Sequence, residues 1–493
     1  MNGSIVRYFI GQVIRIEGIL LLLPCLVGLI YREHEATAYF AVAIMCMVVG
    51  TLISLRKKKD DVFYLKEGCV TTAMCWIALS VFGCIPFVIT GEIPNFIDAL
   101  FETISGFTTT GASILNDVEA LSHTSLMWRS FTHWVGGMGV LVFLLAIIPL
   151  TGGSNFNLMK AESPGPTVGK LVPKMRISAR ILYIIYFVLT VIEMVLLIIA
   201  GMPIFDAVTA AFGTAGTGGF GIKNSSIGGY SDTIQWIVTI FMLLFGVNFN
   251  AYYLLLLGHF KKIFAIEEVR VYFGIVITSI VIITINIFDS CISVFDAVTK
   301  SSFTVASIIT TTGYSTVDFD MWPTLSKAIL VILMFVGACA GSTGGGIKVS
   351  RFIILFKTFV KESNSYIHPR SVKQINMDGK KLDHNTLRAT NVYLITFITV
   401  FVISTLILSI EGHNLETTFT AVAATINNIG PGLSLVGPTS NFSFFSPLSK
   451  IVMMFDMLAG RLELFPLIIL LHPGLWKEAI WEKRHYRRNN PNN

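Results

Sequence analysis

Apolar runs of about 20 residues, the length that crosses a bilayer, recur along the chain with polar turns between them. They cover approximately 10–31, 36–55, 68–90, 125–150, 179–201, 232–258, 269–289, 325–357, 391–410 and 446–472. Between the members of each of the last four pairs lies a different phrase, a half-length apolar stretch running into a glycine-centred loop. Its copies are Phe96–Gly111, Phe205–Gly219, Phe295–Gly313 and Glu416–Gly430. The pattern predicts an all-α polytopic membrane protein. Two N-terminal transmembrane helices precede four repeats of helix, pore helix, filter loop and helix. The expected segments are 1–65 for the preamble, 66–160, 161–265 and 266–365 for three repeats, and 366–493 for the fourth with its tail.

The spacing within the phrases is regular. Asp98 precedes Gly111 by thirteen residues and Asp206 precedes Gly219 by thirteen; Asp296 precedes Gly313 by seventeen and Glu416 precedes Gly430 by fourteen. A helix of about 12 residues rises roughly 18 Å, half a bilayer. An acid at its start is expected to cap it and offset the positive helix end. The negative end then points at the membrane midplane. Glycine at the loop centre permits positive φ without a Cβ penalty. Irregular backbone at membrane depth is tolerated only where protein buries it or water and ions reach it, and rings of backbone carbonyls make cation filters. The candidate ion-binding residues are Thr109, Thr110 and Gly111; Thr217, Gly218 and Gly219; Thr311, Thr312 and Gly313; and Asn428, Ile429 and Gly430. Glycine- and threonine-rich stretches also pack membrane helices together, but four at matched positions favour a filter.

Composition agrees with membrane residence. The 493 residues are 53% hydrophobic and only 13% charged, about half the charged share of a soluble chain, and the mean hydropathy is +0.71. The net charge of +6 is spread over loops, which argues against nucleic-acid binding. The seven cysteines show neither CxxC nor His spacing, so they read as buried free thiols rather than a disulfide frame or metal site. The first apolar run lacks a small-residue cleavage site and reads as a retained helix.

Lys and Arg set the expected orientation. Arg56–Lys59, Lys160, Lys170, Lys174, Arg176, Arg180, Lys261, Lys262, the 348–388 stretch and the tail from Lys477 fall on one side, the cytoplasmic one. Both termini are then cytoplasmic and all four loops open outward. The outer side is mainly acidic, with Arg129, Lys223, Lys327 and Lys450 its few bases. That acidity either focuses cations at an outer vestibule or merely reflects the exclusion of bases from outer loops.

Two features interrupt the last spans. The stretch Gly337–Gly346 should break its helix at mid-membrane, since each glycine costs about 1 kcal/mol relative to alanine. Gly341, Gly344, Gly345 and Gly346 are therefore candidate gate residues. Gly341-x4-Gly346 lacks the Lys-Ser/Thr of a phosphate loop. Arg461 lies within an apolar run with Asp456 and Glu463 nearby. It is either half of an internal ion pair or a pore-facing barrier to cations. Glu102 orders the first loop from behind or simply packs; Asn248 and Asn250 read as interhelical hydrogen bonds, and His133 as a satisfied core histidine.

Further motifs carry a family resemblance over nearly the whole chain. They are Thr108-Thr-Thr-Gly-Ala-Ser113, Trp134-Val-Gly-Gly-Met-Gly139, Ala161-Glu-Ser-Pro-Gly-Pro166, Gly341-Ser-Thr-Gly-Gly-Gly-Ile-Lys348, Asn427-Asn-Ile-Gly-Pro-Gly432 and Gly460-Arg-Leu-Glu463. The sequence resembles the Trk/Ktr/HKT superfamily of cation transporters, on its TrkH/TrkG branch. The resemblance implies a pseudo-fourfold pore within one chain and a homodimer of such chains. Gly111, Gly219, Gly313 and Gly430 would be the filter glycines, with Gly111 going with potassium preference. It further implies a mobile loop at Gly337–Gly346 below the filter, and Arg461 facing the pore. The expected partners are membrane lipid and a separate cytoplasmic nucleotide-binding subunit of the TrkA type, docked near Arg56–Lys59, 358–390 or the tail. K+ is the expected cargo, with no bound cofactor, and the expected location is the bacterial plasma membrane. The competing reading is potassium–proton or potassium–sodium symport, or a sodium-permeable transporter. No HExxH, paired His/Asp set or Ser/Lys pair supports an enzyme.

Overall fold

A computed structural model describes residues 3–55, 65–139, 175–368 and 374–477. The motif at 161–166, the bases at 56–59, 160, 170 and 174, and nearly all of the tail lie outside them. The regular structure of the described residues is helical, apart from an antiparallel hairpin that pairs Asn376–Met377 with Lys380–Lys381.

Six helical stretches are long and apolar enough to cross a membrane: Gly3–Tyr31, Glu35–Ser54, Leu65–Thr90, Arg180–Ile199, Glu267–Ser290 and His384–Glu411. The first two pack through small residues. A Cβ on Gly50 would stand 2.6 Å from the Gly11 carbonyl, and one on Gly18 would stand 2.7 Å from that of Ala43. Such backbone approach is the usual basis of helix association in lipid. The long helices turn apolar side chains outward, Ile30, Ile285 and Leu406 among them, while Thr, Ser, Glu and Arg side chains lie buried beside the apolar core. An apolar outer surface of this kind suits lipid rather than water.

Each of the last four long helices leads into a short one: Phe96–Phe107, Ile204–Gly216, Val294–Ile309 and Leu415–Ile426. Their N-caps correct the expectation from sequence. Asn95, Ser293 and Asn414 cap through their side chains and Pro203 occupies the fourth cap. Asp98, Asp206, Asp296 and Glu416 lie one turn inside, where a carboxylate still offsets the helix dipole. There they take lysines: Asp98 pairs with Lys450 at 2.7 Å, Asp296 with Lys300 at 2.7 Å, Asp206 with Lys223 at 3.7 Å and Glu416 with Lys327 at 3.3 Å.

The trailing helices differ most from expectation. Within the described residues, the four runs read as full spans begin as half-length helices, His123–Gly137, Asp232–Phe245, Thr324–Val336 and Pro447–Arg461. The sequence predicted a break in the third alone. The second bends by 93° before Phe249–Leu256. Gly246 ends it there and Asn248 caps the next helix by accepting from the Asn250 N–H. Asn248 is thus a cap, and its side chain also bonds Glu268 on the helix Glu267–Ile287, the interhelical bond expected. The fourth breaks because Pro466, at the start of Phe465–Leu471, would clash with the carbonyl four residues earlier in a continuous helix. Glu463 and Leu464 take positive φ between the two pieces.

Candidate functional site: a ring of four loops

All four short helices end in one backbone motif. The N–H groups of Thr109, Thr217, Thr311 and Asn428 bond three residues back, at 3.0–3.2 Å. Those of Thr110, Gly218, Thr312 and Ile429 bond five residues back, at 2.8–2.9 Å. This is the Schellman closure, which needs a left-handed residue after the cap. Here that residue is Thr or Asn in place of the usual glycine, with φ of +55°, +53°, +58° and +56°. Two residues on stand Gly111, Gly219, Gly313 and Gly430, with φ of +79°, +76°, +84° and +99°. Gly219, not Gly218, thus shares the register of the other three.

The loops abut in cyclic order. A Cβ on Gly111 would collide with the Gly218 carbonyl, one on Gly219 with that of Thr312, and one on Gly313 with that of Ile429. A Cβ on Gly430 would lie 2.8 Å from the Thr110 carbonyl, which returns the sequence to the first loop. Each glycine therefore faces the carbonyl that precedes the next glycine. Among the described residues, no N–H or O–H donates to the main-chain carbonyls of Thr109–Gly111, Thr217–Gly219, Thr311–Gly313 or Asn428–Gly430. The side-chain-bearing residues of these triplets are fully buried. Buried carbonyls are nearly always paired, so these unpaired ones, most of them on buried residues and four of them set against the next loop's glycine, make a strong acceptor site.

Side chains behind the loops tie the first loop to the second and the fourth to the first. Glu102, fully buried, accepts from Ser113 Oγ at 2.9 Å, Ile114 N at 3.0 Å and Arg129 Nε at 2.9 Å. Arg129 also donates to the Gly221 carbonyl at 3.2 Å, and its guanidinium lies 4.0 Å from the centre of the Phe220 ring. The pair thus joins the first loop to the second. His133 lies 2.8 Å from the Gly106 carbonyl through Nδ1 and accepts from the Phe220 N–H through Nε2 at 3.2 Å, so both ring nitrogens are satisfied. Asn428 donates to Thr110 Oγ1 and to the Met457 carbonyl, both at 2.9 Å. Removing one member of a buried pair strands the other charge at a cost of roughly 3–5 kcal/mol. Arg129→Gln is accordingly expected to lower the melting temperature in detergent, and Glu102→Gln added to it to recover part of the loss. Equal melting of Arg129→Gln and the unsubstituted protein would remove the bracing role.

Over the ring lies a cavity of about 160 Å³ lined by loop residues including Arg129, Lys223 and Asn224, with no Asp or Glu in its lining. Asp98, Asp206, Asp296 and Glu416 are held by lysines, and Asp117 and Glu119 accept from Asn224 at 2.8 and 3.0 Å. A lining that carries Arg129 and Lys223 and no acid does not make an anionic vestibule.

On the opposite side of the ring, no helix forms from Gly337 through Lys348. This segment packs against the loops from below. The Gly345 N–H donates to Thr311 Oγ1 at 2.6 Å, and a Cβ on Gly345 would lie 2.5 Å from the Asn427 carbonyl. Gly344 lies beneath Thr310, and Gly341 accepts from the Phe249 N–H at 3.0 Å. Gly337, Gly341 and Gly346 all adopt positive φ.

Arg461 closes the arrangement at the end of the fourth trailing helix. It donates to Thr109 Oγ1 at 3.3 Å, to the Thr343 carbonyl at 3.0 Å, to the Gly137 carbonyl at 2.6 Å and to that of Gly136. Gly136 and Gly137 end the first trailing helix, whose last carbonyls lack intrahelical donors. The nearby acids bond elsewhere: Asp456 accepts from Ser404 at 2.7 Å, and Glu463 pairs with Arg351. Sequence reasoning counted Lys348 and Arg351 among the cytoplasmic bases, whereas both are buried, and it passed over Glu268. The signal was available for two of them, as bases directly following a glycine cluster inside an apolar run.

The comparisons with known proteins follow the same outline. The family model TrkH, described as a cation transport protein, matches residues 35–483. "Trk system potassium uptake protein TrkH" of Salmonella typhimurium is 36% identical over 490 residues, covering 97% of this chain and all of the relative. TrkG of the same system from Escherichia coli K12 is 34% identical with the same coverage. The crystal structure of the potassium transporter TrkH from Vibrio parahaemolyticus superposes with a TM-score of 0.87 at 31% identity, over 97% of this chain and 100% of that one. The chain belongs to the TrkH family, a family of cation transport proteins and not of enzymes.

Proposed function

We propose that this chain is the membrane-spanning component of a potassium uptake system, resident in the plasma membrane. K+ passes through a pseudo-fourfold filter formed by Thr109–Gly111, Thr217–Gly219, Thr311–Gly313 and Asn428–Gly430. The ring of loop carbonyls without donors carries this reading, because such oxygens replace the hydration shell of a cation. The five sequence segments serve as a preamble and four pore repeats, with both termini cytoplasmic and the loops open to the outside. Gly341, Gly344, Gly345, Gly346 and Arg461 form a gate beneath the filter. Its state is set by a cytoplasmic nucleotide-binding partner of the TrkA type, and two chains associate as a homodimer. The potassium-uptake names of full-length relatives support the choice of ion.

The test is flux from proteoliposomes with K+ and Na+ compared, with and without a proton or sodium gradient. Potassium-preferring flux that persists without a coupling gradient is expected. Flux that stops when the gradient is collapsed would make the chain a symporter, and equal flux of both ions would move selectivity away from the four loops.

A further inference from the structure

Two buried carboxylates anchor the glycine-rich segment and the helix that follows it. Glu268, in the first turn of the helix Glu267–Ile287, is 2% exposed. Its Oε1 accepts from the Ala340 N–H at 2.7 Å and from the Ser350 N–H at 3.0 Å. Ala340 lies within the non-helical segment, whereas Ser350 is in the first turn of Val349–Ile367. One oxygen atom therefore pins the segment to the helix that follows it. Arg351, the next residue, pairs with Glu463, and its guanidinium stacks 3.9 Å above the Tyr393 ring. Glu463 sits in the break of the fourth trailing helix with φ of +53°, two residues after Arg461. Lys348 turns inward and donates to the carbonyls of Gly344 and, at 3.3 Å, Gly345.

A buried carboxylate is tolerated only while donors surround it, and hydrogen bonds from N–H to a charged oxygen are roughly twice as strong as neutral ones. Shifting Ala340 away would strip Glu268 of one of its two backbone donors. The Ser350 bond does not depend on the segment, since first-turn N–H groups of a helix have no intrahelical acceptor and need an outside partner. Resting on the gate reading above, we infer that Glu268 and the Arg351–Glu463 pair are positioning residues. They form a two-point clamp that holds 337–348 against the ring, and opening releases Ala340 from Glu268 while Ser350 stays bound.

The test is resting K+ and Na+ flux from proteoliposomes of the full chain. Coupling between a switch and its clamp is commonly worth about fivefold or more in an equilibrium, so Glu268→Ala should raise resting flux at least about fivefold. Glu268→Gln, which keeps an acceptor but no charge, should raise it less. Arg351→Glu and Glu463→Arg should each raise flux, and the double variant, which restores a pair, should bring it back down. The K+/Na+ preference should stay fixed throughout, because the clamp acts on the segment and not on the loops. Unchanged flux in Glu268→Ala, with Arg461→Ala still raising it, would overturn the clamp and leave the gate; no rise in either would remove the gate as well. Should the variants fail to fold, amide exchange in the unsubstituted protein decides. Ala340 exchanging faster than Ser350 as the pore opens supports the clamp, and equal exchange at both overturns it.

Discussion

Gly313→Ala is expected to abolish potassium preference in a chain that still folds. Two costs meet at this position. Its φ of +84° is one that L residues avoid, at about 1–2 kcal/mol. The new Cβ would also overlap the Ile429 carbonyl and lie 2.9 Å from Cδ of Pro431. Neither neighbour is the free end of a flexible side chain, so the strain must move backbone, and overpacking of this kind costs about 1–3 kcal/mol. The backbone that moves belongs to the next loop, which spreads the damage around the ring. Since each 1.4 kcal/mol is about a factor of ten, the K+/Na+ flux ratio should fall at least about tenfold. Gly111→Ser, with the same geometry against Gly218, should behave alike. Gly412→Ala is the control: its φ is +77°, but nothing lies within 4 Å of its Cβ. It carries the backbone strain without the collision, and its flux ratio should match the unsubstituted protein. A Gly313→Ala protein with normal selectivity would remove the ring from ion discrimination.

The contrast between what sequence revealed and what it hid has a physical cause. The short helices were legible because half a span followed by glycine and hydroxyl residues cannot be an ordinary transmembrane helix. Their registers were legible through Gly111, Gly219, Gly313 and Gly430, where only glycine fits both the dihedral and the approaching carbonyl. The breaks in three trailing helices were hidden because hydropathy over about 20 residues runs smoothly across them. Gly246-Val-Asn248 and Leu464-Phe-Pro466 are small local events inside apolar surroundings, and only cap geometry or the proline clash betrays them. Glu268 was hidden for a different reason. It stands at the edge of a predicted span, where an acid reads as a solvated loop residue, and only the fold sets it beneath Ala340. Arg461 was legible as a costly charge in an apolar run, but its partners were not. They are carbonyls from helix ends distant in sequence, which no charge pattern records.

Those partners fix the expected outcome for Arg461→Ala, a large rise in cation flux. The guanidinium sits one hydrogen bond from Thr109 on one side and from Thr343 of the glycine-rich segment on the other, so it stands between the ring and the far side of the membrane. Two unit charges about 6 Å apart repel by roughly 3 kcal/mol at an effective dielectric constant of 20. On the proposed path a cation leaving the ring would meet that barrier, and its removal corresponds to about a hundredfold in rate. Truncation also frees the carbonyls of Gly137 and Thr343, the C-terminal end of a helix among them. Such ends attract cations, so the change reverses the local potential rather than only neutralising it. Arg461→Lys separates charge from architecture. It keeps the positive charge but cannot span several acceptors with a planar fork. Low flux in the lysine variant and high flux in the alanine variant would assign the barrier to charge. High flux in both would assign it to the tie between helix ends, and unchanged flux in a folded Arg461→Ala protein would take Arg461 off the ion path.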